Sequence, residues 1–218
     1  MRAITGRVQG EFGCGSTALS MILQSYGEAV SESDIISAIG GIGPIDQEGN
    51  PGTLVTDNAL FARRLGYPVT CYTNNIRLHL SNYAEFDQVD LYWYLDSIRH
   101  NYSGMDRRVL DTYLSLIEEG ASLIIQPASP QPIHYHLDRD IPPIINLDQM
   151  LFHEGHAFTG LGHSIVACGR SPNLISYIDP EDGKQHSANE NLLLSAMGYY
   201  SLNHSSYLVA VEPKILIQ

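Results

Sequence analysis

Cys14 stands between two glycines in the stretch QGEFGCGSTALSM, Gln9 to Met21, and apolar residues at helical spacing follow it. A cysteine at a helix N-terminus feels the positive end of the peptide dipoles and the unpaired N–H groups of the first turn, and both favour thiolate over thiol. The same N–H groups can approach an oxyanion forming on a substrate carbonyl, and glycines at 13 and 15 would leave that approach open. Taken alone, the stretch also fits a small buried cysteine with glycines packed around it.

A nucleophilic cysteine needs a base. Among nine histidines, His163 is on a predicted strand with a carboxylate beside it. The segment GHSIVACGRSPNLISYIDPEDG reads as two strands joined by turn residues Arg170 to Asn173. A hairpin centred on residues 171 and 172 turns His163 toward the 179 and 180 neighbourhood, where Asp179 falls. Cross-strand β-carbons lie about 5 Å apart, close enough for a carboxylate to hold an imidazole N–H and fix its tautomer. Singly, Asp179-Pro180 also reads as a strand terminator and His163 as a half-buried strand residue. Joined to Cys14, the three make a Cys-His-Asp arrangement in which the base takes the thiol proton and the carboxylate orients the base.

Gln9, the Cys14-Gly15 pair opening a helix with Ala18, Leu19 and Met21, His163 with Ile165-Val166, and Asp179-Pro180 followed by Gly183 together resemble the papain-like cysteine peptidases of the bacteriocin-leader (double-glycine) type, peptidase family thirty-nine. The resemblance covers nearly the full chain. GNPGTLVTDNALFARRLGYPVT is similar to that family's glycine-led helix and following strand, and IPPIINL to the strand before the histidine. The resemblance implies a papain-like fold, with Gln9 as an oxyanion-hole donor, Cys14 as nucleophile, His163 as base and Asp179 as its orienting carboxylate. It implies a cysteine-dependent hydrolase, a peptidase acting on a peptide or other amide without a cofactor. The gap from Gln9 to Cys14 is a residue shorter than the family's usual spacing, so Glu11 and backbone amides are the alternatives for the oxyanion role. The leader peptidases usually form one domain of an export transporter, whereas this chain carries no apolar span and no P-loop. Relatives on such a fold also transfer acyl groups. An acyl transferase and a catalytically idle peptide-binding module are the alternatives.

A rival constellation is His134-Tyr135-His136 with His153-Glu154-Gly155-His156, spacings at which imidazoles bind zinc or copper. The stretch QPIHYHLDRD lacks the pattern of a well-ordered element, and the expectation is no metal, with these histidines in loops lining or adjoining the cleft. Phe152 to Leu161, rich in glycine, reads as a flap.

The elements that must hold these residues separate along the chain. Helices are expected at Cys14–Tyr26, around Ser31–Ile39, at Thr53–Leu65, Glu85–His100 and Asp106–Glu119, with one early strand in YPVTCYT. Short β-rich runs follow at Ser122–Gln126, Pro143–Leu147, Gly162–Cys168, Leu174–Ile178 and Ser206–Val211. This predicts an α+β fold in a single domain over 1–218: a helical lobe over about 1–120 packed on an antiparallel sheet lobe over about 121–218. A chain of 218 residues, 44% hydrophobic, can bury a substantial core. With 24 acidic and 12 basic side chains, a net charge of −12 argues against nucleic acid as a partner. The N-terminus has no apolar signal segment, no long apolar run suggests a membrane, and three cysteines without a CxxC suit a reducing compartment, so the expected location is the cytoplasm.

Overall fold

The computed structural model describes residues 3–10, 13–40, 43–44, 51–78, 85–154, 162–202 and 204–214. An extended N-terminal segment leads into α1 (Cys14–Ser25) and α2 (Glu32–Ala38). The two-residue strands β1 (Gly43–Pro44) and β2 (Pro51–Gly52) form a small antiparallel pair. Then come α3 (Val55–Arg64), β3 (Val69–Thr73), α4 (Gln88–Ile98), α5 (Gly104–Glu118) and β4 (Ser122–Ile125). The second half runs α6 (Pro130–Leu137), β5 (Ile144–Asp148), α7 (Gln149–Glu154), β6 (Gly162–Ser171), β7 (Leu174–Asp179), β8 (Lys184–Asn189), α8 (Glu190–Ser201) and β9 (Leu208–Val211).

The chain is mixed α+β, built on a seven-stranded sheet ordered β4-β3-β9-β5-β6-β7-β8. All neighbours are antiparallel except β3 and β4, which run parallel at one edge. The sheet thus takes β3 from within the helix-rich first half, and both of its faces are covered. On one face Ile144, Val166, Ile178 and Val209 pack with α1, α3 and α5. On the other, Ile145, Ile165, Ala167, Tyr177 and Leu208 pack with α6 and α8. Burial on both faces is why the strand runs SIVA and LVAV read as unbroken apolar stretches rather than alternating ones.

Local chemistry explains the helix limits. Ser31 caps α2 with a full capping box: its hydroxyl accepts from the Asp34 N–H, and the Asp34 carboxylate accepts from the Ser31 N–H at 2.9 Å. Gly27, at φ 94°, takes the left-handed turn that stops α1. Two expectations are corrected. QPIHYHLDRD is ordered, since α6 begins at Pro130 and both of its prolines fall in the first turn, where a helix does not need their N–H. Its helical phase sends His134 and His136 to different sides, so they share no ligand face. The buried His136 meets the Tyr72 hydroxyl at 3.0 Å, while the half-exposed His134 meets Glu190 at 2.5 Å. The second correction is β8, a strand with no apolar signal because it is the exposed sheet edge, KQHSAN, with Lys184 at its start. The flap expected at 152–161 begins in α7, and from residue 155 it lies outside the described residues, as do His156 and the side chain of His153. Among the described residues no helix is long and apolar enough to cross a membrane.

His136 carries a pH consequence. Burial first, and the Arg139 charge second, push its imidazole down to about 4. The unfolded chain takes that proton near pH 6.5, so between the two values the unfolded state binds more protons and stability falls as pH drops. Between pH 7 and pH 5 this group should cost on the order of 1–2 kcal/mol, a few degrees in Tm. His136→Gln, which keeps a partner for Tyr72 but does not titrate, should show a shallower acid slope in thermal melts than the wild type.

Candidate active site

Cys14 is the first residue of α1, preceded by Gly13 with no side-chain cap. Every residue from Gly15 to Leu23 is buried, so the helix is wedged between α2, α3 and the sheet. Its polar positions are tied down: Ser16 donates to Asn58 Oδ1 at 3.0 Å and Ser20 to the Val30 carbonyl at 2.7 Å. The flanking glycines serve packing rather than open access. A β-carbon on Gly13 would lie 1.6 Å from Glu32 Oε1, and one on Gly15 would lie 2.9 Å from Asn58 Nδ2. Glu32 in turn accepts the Gly10 N–H at 3.1 and 3.0 Å, which closes the loop leading into the helix.

His163 and Asp179 come from the β6–β7 hairpin. Ser171 pairs with Leu174 around a tight Pro172-Asn173 turn, with Asn173 at φ 63°. An irregularity between Ala167 and Gly169 then shifts the register, and Val166 pairs with Ile178. Continued along the strands, that pairing sets Asp179 opposite Ile165, diagonal to His163 rather than directly across from it. The contact forms all the same: His163 Nε2 lies 2.7 Å from Asp179 Oδ1, with each residue 3% exposed. Asp179 Oδ1 also accepts the Glu181 N–H at 2.9 Å, and the Gly183 N–H closes the turn on the Asp179 carbonyl at 2.8 Å. His163, Asp179 and the exposed Glu181 are near enough together to serve as metal ligands, but the histidine nitrogen facing them is already engaged with Asp179.

The N-terminal segment brings Gln9 to this corner. Its N–H donates to the Pro180 carbonyl at 2.7 Å, one residue beyond Asp179, and Arg7 N–H approaches Met21 Sδ at 3.3 Å on α1. Gln9 Oε1 is buried without a partner among the described residues. Glu11, the alternative donor position, lies outside them.

The electrostatics single out one cysteine. Burial pushes the Cys14 thiol up, but a hydrogen bond and charge from His163, with the backbone N–H and hydroxyl of Ser164, outweigh it and bring the pKa below that of an ordinary thiol. His163 moves the other way. Burial lowers it, while hydrogen bonds to Asp179 and Cys14 outweigh burial and raise it to about 10. Since Nε2 faces Asp179, Nδ1 is the ring nitrogen turned to the thiol. Cys71, buried without such neighbours, is pushed up to about 12, and burial raises Cys168 as well. Cys14 is half-buried and so remains reachable.

Three neighbours were not foreseen from the sequence. Ser164 lies beside Cys14, and its hydroxyl donates to the buried Asn146 Oδ1 at 2.7 Å. Tyr200, on α8, covers Gly162 so closely that a β-carbon there would be 2.5 Å from its ring, and burial together with the Cys14 charge raises its phenol. The available signal was the polar residue interrupting an apolar strand, as in IINLD and HSIVA; Tyr200 left none.

No protein-family model and no curated protein matches the sequence. Among solved structures, the chain resembles a crystal structure of a candidate C39-like peptidase from Bacillus anthracis, with a TM-score of 0.58 over 98% of this chain and 96% of that one. Sequence identity is 11%, so the likeness is one of fold.

Opposite shifts of Cys14 and His163 predict selective alkylation. At pH 6, where ordinary thiols with pKa about 8.5 are almost wholly protonated, iodoacetamide should label Cys14 at least tenfold faster than Cys71 or Cys168. His163→Ala should remove the low-pH limb and leave an ordinary thiol profile, read by peptide mass spectrometry.

Proposed function

We propose that this chain is a papain-like cysteine hydrolase that cleaves a peptide or other amide through an acyl-cysteine intermediate. The observation that carries the reading is the buried His163–Asp179 contact at 2.7 Å beside a cysteine whose pKa is lowered while the histidine's is raised. Such a pair rests as thiolate and imidazolium. The likeness in fold to a candidate C39-like peptidase supports the same class.

In this reading the Cys14 sulfur attacks the substrate carbonyl carbon, and the carbonyl π pair moves onto oxygen. The first-turn N–H groups of α1 and the Gln9 carboxamide N–H₂ are the donors for that oxyanion. When the tetrahedral intermediate collapses, the C–N bond breaks and His163 gives its Nδ1 proton to the leaving amine. Neutral His163 then takes a proton from water, the hydroxide attacks the thioester, and the acid product leaves as Cys14 returns to thiolate. Asp179 keeps the Nε2 proton in place throughout, which fixes the tautomer that presents Nδ1 to sulfur.

The pH dependence follows from the two shifts. Activity should rise as Cys14 deprotonates, below the ordinary thiol range, and fall near pH 10 as the His163 imidazolium loses its proton. With a mixture of fluorogenic short-peptide amides, Cys14→Ala should abolish turnover while its melting temperature stays within a few degrees of wild type. Gln9→Ala should lower kcat about 10²-fold, and Asp179→Asn by about 10²-fold or more. Acid quench should trap an acyl mass on Cys14. Wild-type turnover by Cys14→Ala would overturn the reading.

A further inference from the structure

Asn146 on β5 and Ser164 on β6 are direct cross-strand partners, and both are buried, at 0% and 3% exposure. Their side chains meet at 2.7 Å on the sheet face that receives α1. The Ser164 oxygen is also 3.5 Å from where a β-carbon on Gly15 would sit, which places it beside the first turn of that helix. The Ser164 N–H and hydroxyl are among the neighbouring donors that draw the Cys14 thiol below the ordinary range.

This arrangement asks one hydroxyl proton to serve two acceptors. A serine donates once, so a proton given to Asn146 Oδ1 is withdrawn from sulfur. Asn146 Nδ2, meanwhile, is buried with no partner among the described residues. A half-turn of the Asn146 carboxamide keeps the same heavy-atom shape and exchanges the two atoms. Nδ2 then donates to the Ser164 oxygen, and the hydroxyl proton goes to sulfur. Each orientation leaves one amide atom unpaired. The turned one gains a hydrogen bond to an anion, roughly twice as strong as a neutral one.

We propose that Asn146 and Ser164 form a donor relay to the nucleophile, Asn146 Nδ2–H to Ser164 Oγ and Ser164 Oγ–H to Cys14 Sγ, which helps hold the thiolate. The inference rests on reading Cys14 as the nucleophile. The relay acts alongside His163 and supplies no proton to the reaction; it spreads the thiolate's charge over a second donor. Other titratable groups around it are His163 and Asp179 from the hairpin, Asp148 two residues along β5, Glu32 from α2 and Tyr200 from α8. All are common to wild type and to a Ser164 variant, so the difference between the two pH profiles reports the hydroxyl.

The test is the pH dependence of Cys14 alkylation by iodoacetamide in the full chain, read at the Cys14 peptide. Ser164→Ala should move the profile up by about one pH unit, an approximately tenfold slower reaction at pH 6. Ser164→Thr, which keeps the hydroxyl, should restore it. Asn146→Ala, which removes the amide without adding a charge, should move it in the same direction as Ser164→Ala, and it decides the matter if Ser164→Ala fails to show a native melt. Superimposed Ser164→Ala and wild-type profiles would overturn the relay while leaving the nucleophile intact. So would a downward shift in Asn146→Ala, the sign that the amide had been drawing the proton away. A wild-type Cys14 that titrates as an ordinary thiol would remove both the nucleophile and the relay.

Discussion

The buried hydrogen bond between His163 and Asp179 is the constraint to which the site's other groups answer. A carboxylate 3% exposed is costly to bury, several kcal/mol for an isolated ion, and it is tolerated here because an N–H from Glu181 and a histidine nitrogen both face it. That contact favours the imidazolium, and the imidazolium favours the thiolate. Opposite charges about 4 Å apart are worth about 4 kcal/mol at an effective dielectric of about 20, equivalent to about three pKa units. Desolvation acts in the other direction with similar force. Cys71 shows the outcome when burial acts alone, and Cys14 shows it when neighbours prevail.

The geometry that maintains this balance is a junction of three parts. α1 supplies sulfur, the hairpin supplies imidazole and carboxylate, and the N-terminal segment touches both. Gly10 is held by Glu32 at the α2 end, Arg7 by Met21, and Gln9 by Pro180, while Gly6 passes so near Gly183 that a β-carbon would reach within 1.9 Å of its carbonyl oxygen. The segment acts as a strap between the helical layer and the end of the sheet. The cost of misplacing Gln9 is therefore shared with the turn that carries Asp179.

Much of this was legible in the residues, for identifiable reasons. Cys14 at a helix start follows from glycine before an apolar period, and the hairpin follows from turn residues between two apolar runs. The partner of His163 was found although the register was off. The irregularity at Ala167/Gly169 partly offsets the turn lying one residue further on, leaving Asp179 within diagonal reach. What escaped had no local signature. β8 is polar because it is an edge, α6 hides behind prolines that belong in its first turn, and the two-sided burial of the sheet depends on helices distant in sequence. Ser164 and Asn146 are ordinary small polar residues until the pairing of β5 with β6 makes them neighbours.

The position of β9 carries a consequence for when the sheet can be completed. It is the last strand in the described chain, yet it lies near the middle of the sheet, with β3 on one side and β5 on the other. During synthesis the strands on the β3 side and those bearing His163 and Asp179 are made before the strand that joins them. The sheet cannot close until Leu208–Val211 has left the ribosome, although Cys14 emerged nearly two hundred residues earlier. Through that interval β3 and β5 lack the strand that joins them, so the α1 and hairpin layers have no continuous sheet to share.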